Sequence, residues 1–343
     1  MFFCLPAPTR AKLAERKEKL PKVYCTFPIS LFVWVKALQD PVQIAAERIR
    51  KLEVQGARNV AIAAINATET LANQTRAKTK KEFLKELLNA KETLFDSRET
   101  EPLMRNAIRL IINQVEKSPQ KNIKKLSQTV SMASQQFLKD LESSKERIAE
   151  IGARRVRSNS TILTHCHSST VTFLLKKARH DGKAFEVICT ETRPVFQGKI
   201  TAKEMLDLDV KTTFIIDSAT RFFMNQVDMV IVGADAITSE GNVINKIGTS
   251  MVALAAQEAR TPFYVVSELL KFDPATMYGD YEKIEERNPT EIWKQAPKKL
   301  VVRNPAFDVT RRDFIHGIIC EEGIISPHSI TEVINRKYPW VFK

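Results

Sequence analysis

Two hydrophobic rhythms follow one another along the chain. From Pro41 to about Arg157 apolar residues recur at three and four positions, most clearly at Ile123, Leu126, Val130, Ala133, Phe137 and Leu141. That spacing lines one face of a helix, so it predicts a long amphipathic helix with Ser118-Pro119 as its start. Shorter helices are predicted over 41–53, 57–74, 79–95 and 103–116, parted by Gly56 and by the breaker from Ser97 to Pro102. Residues 41–157 are therefore expected to make a helical N-terminal domain.

After Ser158 the pattern changes to short β-branched runs bounded by turn residues. They fall at 161–164, 185–190, 212–216, 229–232, 263–266, 300–302 and 317–319, with helical patterns at 168–181, 201–207, 218–226 and 247–259 between them. Alternation of this kind predicts an α/β fold: a Rossmann-like, doubly wound, mostly parallel sheet over 158–343, covered on both faces. Residues 1–40 follow neither rhythm. Pro6, Pro8, Pro21 and Pro28 interrupt them, which predicts a poorly ordered extension.

Composition narrows the function. With 343 residues and 43% hydrophobic content, the chain is long enough for a substantial core. Its five cysteines (Cys4, Cys25, Cys166, Cys189 and Cys320) are odd in number, scattered and without CxxC spacing. This argues against a disulfide framework or a zinc knuckle and fits a reducing cytoplasm. The net charge of +13 raises nucleic acid, membrane surfaces and phosphorylated small molecules as partners. Lys and Arg are mixed with Asp and Glu, however, and no basic block carries interleaved aromatics, so nucleic acid is not expected. The apolar run from Ile29 to Val35 is far too short to span a bilayer, and no cleavage site follows; neither membrane insertion nor export is expected.

In a doubly wound sheet, ligands sit beyond the carboxyl ends of the strands, near the point where the winding reverses. Residues just after the predicted strands are Cys166, Arg193, Asp217, Asp235 and Lys271: a thiol, two carboxylates and two cations. Ser168 is placed to cap the next helix, which sets Cys166 near a helix N-terminus, where partial positive charge favours a thiolate. A buried, inert cysteine is equally consistent with that position. His165 and His167 flank the thiol, but consecutive residues of a strand point to opposite faces, and a zinc site needs three or four converging ligands. No metal is expected. Asp235 follows the apolar Val230-Ile231-Val232-Gly233-Ala234, a setting that can keep a carboxylic acid protonated, although a turn or cap role is equally open. Asn245 and Lys246, between Gly241 and the helical run from Ile247, offer an amide and an ammonium as a grip for phosphate or hydroxyl. No Walker loop or GxGxxG follows a strand, so nucleotide hydrolysis and dinucleotide redox are not predicted.

The stretches "ILTHCHSS", "TETRPVFQGK", "IIDSATRFFM", "DMVIVGADAI", "NVINKIGTSMVALAA", "KFDP" and "NPAFDVT" together resemble the eIF2B-related superfamily. The likeness is greatest to its archaeal ribose-1,5-bisphosphate isomerases, with methylthioribose-1-phosphate isomerases and eIF2B regulatory subunits further off. The resemblance implies a helical domain on a Rossmann-like domain, a homo-oligomer (a dimer or trimer of dimers), a sugar bisphosphate substrate and no cofactor. It further implies that Cys166 and Asp235 are catalytic, and that Gln55, Gly56, Ala57, Arg58, Arg98, Ser168, Ser169, Arg193, Asn245, Lys246 and Lys271 surround the substrate. Two positions depart from the isomerase pattern. Gln55-Gly56-Ala57 stands where the isomerases have Arg-Gly-Ala, a form shared with the regulatory relatives, and Ser169 stands where a lysine is expected. Three functions follow from the resemblance: conversion of ribose 1,5-bisphosphate to ribulose 1,5-bisphosphate, a non-enzymatic regulatory role in contact with translation initiation factor subunits, and isomerisation of methylthioribose 1-phosphate.

Overall fold

The computed structural model describes residues 40–98, 100–280 and 283–342. The extension expected over residues 1–40 lies outside the described residues except at Asp40, whose carboxylate accepts the Val42 N–H at 2.9 Å and caps the first helix. From Asp40 onward the chain is a single compact unit.

Five helices come first: α1 (Pro41–Arg50), α2 (Ala57–Gln74), α3 (Lys80–Phe95), α4 (Pro102–Lys117) and α5 (Ile123–Arg155). Helix α5 starts later than expected, because the Ser118 N–H closes α4 onto Gln114 O and the Asn122 side chain then accepts Lys125 N–H at 3.2 Å. The amphipathic pattern is realised as a core in which Val60, Phe83, Leu87, Met104, Ile108 and Leu126 are wholly buried. Asn106 is buried among them. Its amide donates to Leu270 O and Phe272 O, both at 2.9 Å, and so fastens α4 to the segment that follows a central strand. No described helix is long and apolar enough to cross a membrane.

The second half is an α/β layer with a seven-stranded sheet. Its strands are β1 (Ser160–Thr164), β2 (Phe185–Thr190), β3 (Lys211–Ile215), β4 (Met229–Val232), β7 (Phe263–Val266), β9 (Gly317–Cys320) and β10 (Gly323–Ile325), in the order β10-β9-β7-β4-β1-β2-β3. All pairs are parallel except β9–β10. Successive residues of β4 divide between two cores: Val230 and Val232 join the one shared with the helical half, Met229 and Ile231 the other. Both faces of the sheet are thus covered, by α6 (Ser169–His180), α7 (Gly198–Asp207) and the end of α5 on one side, and by α9 (Thr249–Ala259) and α10 (Ile330–Lys337) on the other.

Two expectations fail. The run at 300–302 is no strand: Leu300 and Val301 are 49% and 82% exposed, so they have no buried face to pair with. A second, three-stranded sheet forms instead from β5 (Ala236–Ile237), β6 (Val243–Lys246) and β8 (Phe307–Thr310), antiparallel, with Lys246 opposite Phe307. The helix expected over 218–226 is broken into two 3-10 turns around a single helical turn, α8 (Thr220–Phe223).

Strands β1, β2 and β3 run outward in one direction, while β4 lies on the other side of β1; the winding reverses between β1 and β4. Cys166 follows β1 by two residues and Asp235 follows β4 by three, so both stand at that crevice. The loop after β2 closes against the same place. Gly198 makes this possible, because a Cβ there would lie 1.8 Å from Thr190 O, a backbone atom that cannot yield. Gly198→Ala is expected to cost about 1–3 kcal/mol. It should lower the urea midpoint at an unchanged slope; an unchanged midpoint would contradict this packing.

Candidate active site

The loops after β1, β2 and β3 are tied in series. The Asp217 carboxylate accepts Thr192 N–H at 2.8 Å and Arg193 N–H at 2.7 Å. Thr192 Oγ1 in turn accepts Cys166 N–H at 2.9 Å, and Thr201 Oγ1 donates to Cys166 O at 3.0 Å. Cys166 and Thr192 both hold left-handed backbone, with φ of 69° and 60°. Side-chain-bearing residues adopt that conformation at a cost of order 1–3 kcal/mol, so the hydrogen bonds around them must hold it.

The two histidines go separate ways. His165 Nε2 donates to Ile247 O at 2.9 Å, which leaves Nδ1 to accept the Thr190 hydroxyl at 2.6 Å. Burial lowers its pKa and keeps this imidazole neutral. His167 instead meets the Thr201 hydroxyl at 3.2 Å and Glu204 Oε1 at 3.7 Å. Among the described residues no group of three His, Cys, Asp or Glu side chains is placed to hold a metal.

Ser168 caps α6, its Oγ accepting Val171 N–H at 3.4 Å. The β4 loop lies against this cap, since a Cβ on Gly233 would come within 2.8 Å of Ser168. The thiolate expected at Cys166 is not favoured by its surroundings. Burial pushes the thiol up to about 12, and the Lys246 ammonium pulls it down by less. Its S–H donates to Gln197 Oε1 at 3.6 Å. Desolvation therefore outweighs the positive end of the helix.

Asp235 is half-buried, its N–H donating to Ile244 O at 2.9 Å, and lies within electrostatic reach of Cys166 and Arg98. Behind it, Lys271 Nζ donates to Ala234 O at 2.8 Å and pairs with Glu268 at 3.2 Å. Glu268 is 1% exposed; it also pairs with Arg58 at 3.7 Å and accepts the Thr170 hydroxyl at 3.3 Å. Burial pushes its carboxyl upward, but Lys271 and then Arg58 hold it below the ordinary value.

In front of Asp235 two cations share one ring. Arg98 and Lys246 lie 5.8 Å and 4.9 Å from the Phe307 centroid. Arg98 also faces Glu101 at 3.2 Å and Glu285 at 3.6 Å, yet its Nε and Nη1 are buried without a hydrogen-bond acceptor among the described residues. Buried N–H groups left unpaired are costly, and a bound anion would satisfy them.

The remaining predicted residues are less closely gathered. Gln55 is exposed, with its amide on Leu52 O at 2.9 Å. Gly56, at φ 82°, precedes α2, and Ala57 is buried. Arg58 donates to Leu141 O at 2.9 Å and pairs with Glu142. Ser169 is exposed at the start of α6, and the exposed Arg193 guanidinium lies 5.1 Å from the Phe196 ring centroid. The Asn245 amide donates to Thr249 Oγ1 at 3.0 Å. The start of α9 is filled from within the chain: Asp308 accepts Gly248 N–H at 2.8 Å, Ser250 N–H at 3.1 Å and the Ser250 hydroxyl at 2.9 Å. Glu101, Glu268, Phe307 and Asp308 escaped the reading of the sequence. Phe307 and Asp308 stand in "NPAFDVT", where the match to a motif was the only signal.

The crevice thus joins a thiol, a carboxyl group and two cations, of which Arg98 has unmet hydrogen-bonding capacity among the described residues, the makings of acid–base chemistry on an anionic ligand. The family model described as the initiation factor 2 subunit family matches residues 53–327, and the chain belongs to that family. The ribose 1,5-bisphosphate isomerase of Archaeoglobus fulgidus is 42% identical over 303 residues, covering 87% of this chain and 94% of that protein. A methylthioribose-1-phosphate isomerase of Acetivibrio thermocellus is 32% identical over 306 residues, or 84% of this chain and 89% of the relative. Among solved structures, the Pyrococcus horikoshii OT3 translation initiation factor eIF-2B superposes with a TM-score of 0.74 at 29% identity, covering 84% of this chain and 98% of that one.

The state of the thiol can be checked directly. With its pKa raised to about 12, Cys166 in the free protein should be alkylated by iodoacetamide about tenfold faster per pH unit from 8 to 10, without a plateau. Peptide mass spectrometry separates it from the other cysteines. A plateau below pH 8 would show a thiolate at rest.

Proposed function

We propose that the protein converts ribose 1,5-bisphosphate into ribulose 1,5-bisphosphate. Its relatives make it a sugar-phosphate isomerase. The observation that supports the finer reading is the crevice at which Cys166 and Asp235 stand within electrostatic reach of each other, in front of Arg98 and Lys246.

The anomeric phosphate blocks a free aldehyde, so the ring opens before a proton moves from C2 to C1. Asp235 donates a proton to the ring oxygen as the C1–O bond breaks. Cys166, as thiolate, takes the C2 proton, and a C1=C2 enol phosphate forms. Loss of the C2 hydroxyl proton and protonation at C1 then give the ketose. Because the empty site holds a thiol, the thiolate must form with ligand bound; Lys246, which already lowers the thiol's pKa, is the charge that favours it. Arg98 and Lys246 hold one phosphate. The amino end of α6, with Ser168 and Ser169, and Lys271 serve the other, with Arg193 and Asn245 on the sugar and Gln55, Gly56, Ala57 and Arg58 at its edge. The scheme calls for no cofactor.

A second reading, methylthioribose 1-phosphate as substrate, draws on the exposed Ser169, which supplies no charge for a second phosphate. Self-association is part of the proposal as well. Phe222 on α8 and Met251 and Leu254 on α9 are 76%, 69% and 57% exposed, large apolar side chains that a second copy would cover.

Incubation with ribose 1,5-bisphosphate should yield ribulose 1,5-bisphosphate, and faster than methylthioribose 1-phosphate turns over. Cys166→Ser and Asp235→Asn should each lower turnover by about 10²–10⁴. Full turnover in both variants would defeat the assignment, and preference for the thioether sugar would select the second reading.

A further inference from the structure

Beside Arg98 lies a carboxyl group that the proposed chemistry does not use. Glu101 immediately precedes α4 and is wholly buried. It occupies the capping position without capping, and among the described residues neither of its carboxyl oxygens has a hydrogen-bond donor. Its close partner is Arg98 Nε at 3.2 Å, the same nitrogen that lacks a hydrogen-bond acceptor. The charged groups facing it are Arg98 and Lys271, which favour the carboxylate, and Asp235 and Glu285, which oppose it. Burial is the largest influence and carries the carboxyl up to about 7, so a small change in nearby charge decides whether it holds a proton.

We propose, resting on the reading of Arg98 as a phosphate ligand, that Glu101 is a positioning residue that holds Arg98 in the empty site, yields it to the substrate phosphate, and takes up a proton in doing so. A phosphate and a carboxylate compete for one guanidinium, and the phosphate offers more acceptor oxygens in the geometry that a guanidinium matches. Its arrival brings negative charge next to a carboxylate that has no hydrogen bonds, and the carboxylate answers by protonating. Once protonated, Glu101 can donate a hydrogen bond where it previously repelled. By linkage, a proton taken up on binding makes affinity fall as pH rises through the Glu101 titration, up to about tenfold per unit.

The test uses the full chain carrying Cys166→Ser to block turnover, titrated calorimetrically with ribose 1,5-bisphosphate at pH 7.5 in two buffers of different ionisation heat. Protonation of the ligand's own phosphates is common to all variants and cancels. The Glu101 protein should take up a substantial fraction of a proton more than Glu101→Gln, and Glu101→Gln should bind more tightly at pH 8 while matching it at pH 6. Glu101→Met, which removes the charge by another route, should lose the same uptake. Equal uptake with and without Glu101 would overturn the inference. Arg98→Met should weaken binding and abolish the Glu101-dependent uptake; unchanged affinity in that variant would overturn the phosphate reading and this inference with it. Weakened binding in Arg98→Met together with equal uptake with and without Glu101 would overturn the inference alone.

Discussion

The arrangement of the site depends on one buried carboxylate. Glu268 gathers Arg58 from α2, Thr170 from α6 and Lys271 from the turn after β7. Through Lys271 it fixes the carbonyl of Ala234, the residue before Asp235. Helical layer, cap of the Cys166 helix and Asp235 loop are therefore held by a single charge cluster. Such a cluster is costly to desolvate and tolerable only when complete; breaking a buried pair typically costs 3–5 kcal/mol, because the partner left behind is an unpaired buried ion. Glu268 keeps its charge despite burial because two cations meet it.

On the other side of the crevice the constraint is hydrogen bonding rather than charge. Asp217 holds the loop after β2, that loop holds Cys166, and left-handed backbone at both Cys166 and Thr192 is the consequence. The thiol is thereby placed in a dry setting that keeps it protonated at rest. A thiol held protonated in this way is guarded against alkylation and oxidation. Lys246, which shares the Phe307 ring with Arg98, connects the two halves, because it also lies within electrostatic reach of the thiol.

Much of this was legible in sequence. Helices with strong three-and-four periodicity, such as α5, and strands buried on both faces, such as β4, announce themselves through local pattern. The strand-end rule then brought Cys166, Asp217 and Asp235 to one crevice, because it needs only the strand endings and the parallel topology. The sheet of β5, β6 and β8 was not legible: its strands are two to four residues long, and β8 pairs with β6 across more than sixty residues of sequence, as at Lys246 and Phe307. Leu300 and Val301 mimic a strand in composition but lie in solvent. Glu101 and Glu268 read as ordinary surface acids, since burial comes from partners distant in the chain. Helix-terminus reasoning at Cys166 missed the desolvation that dominates there.

The central claim is that the crevice moves a proton between C2 and C1 of a phosphorylated sugar, with Cys166 as the base. The most direct measurement is turnover of ribose 1,5-bisphosphate in heavy water, with NMR of the ketose. Solvent deuterium should appear at C1 with the native protein, and its incorporation should vanish with Cys166→Ser. Incorporation undiminished without the thiol would contradict the account.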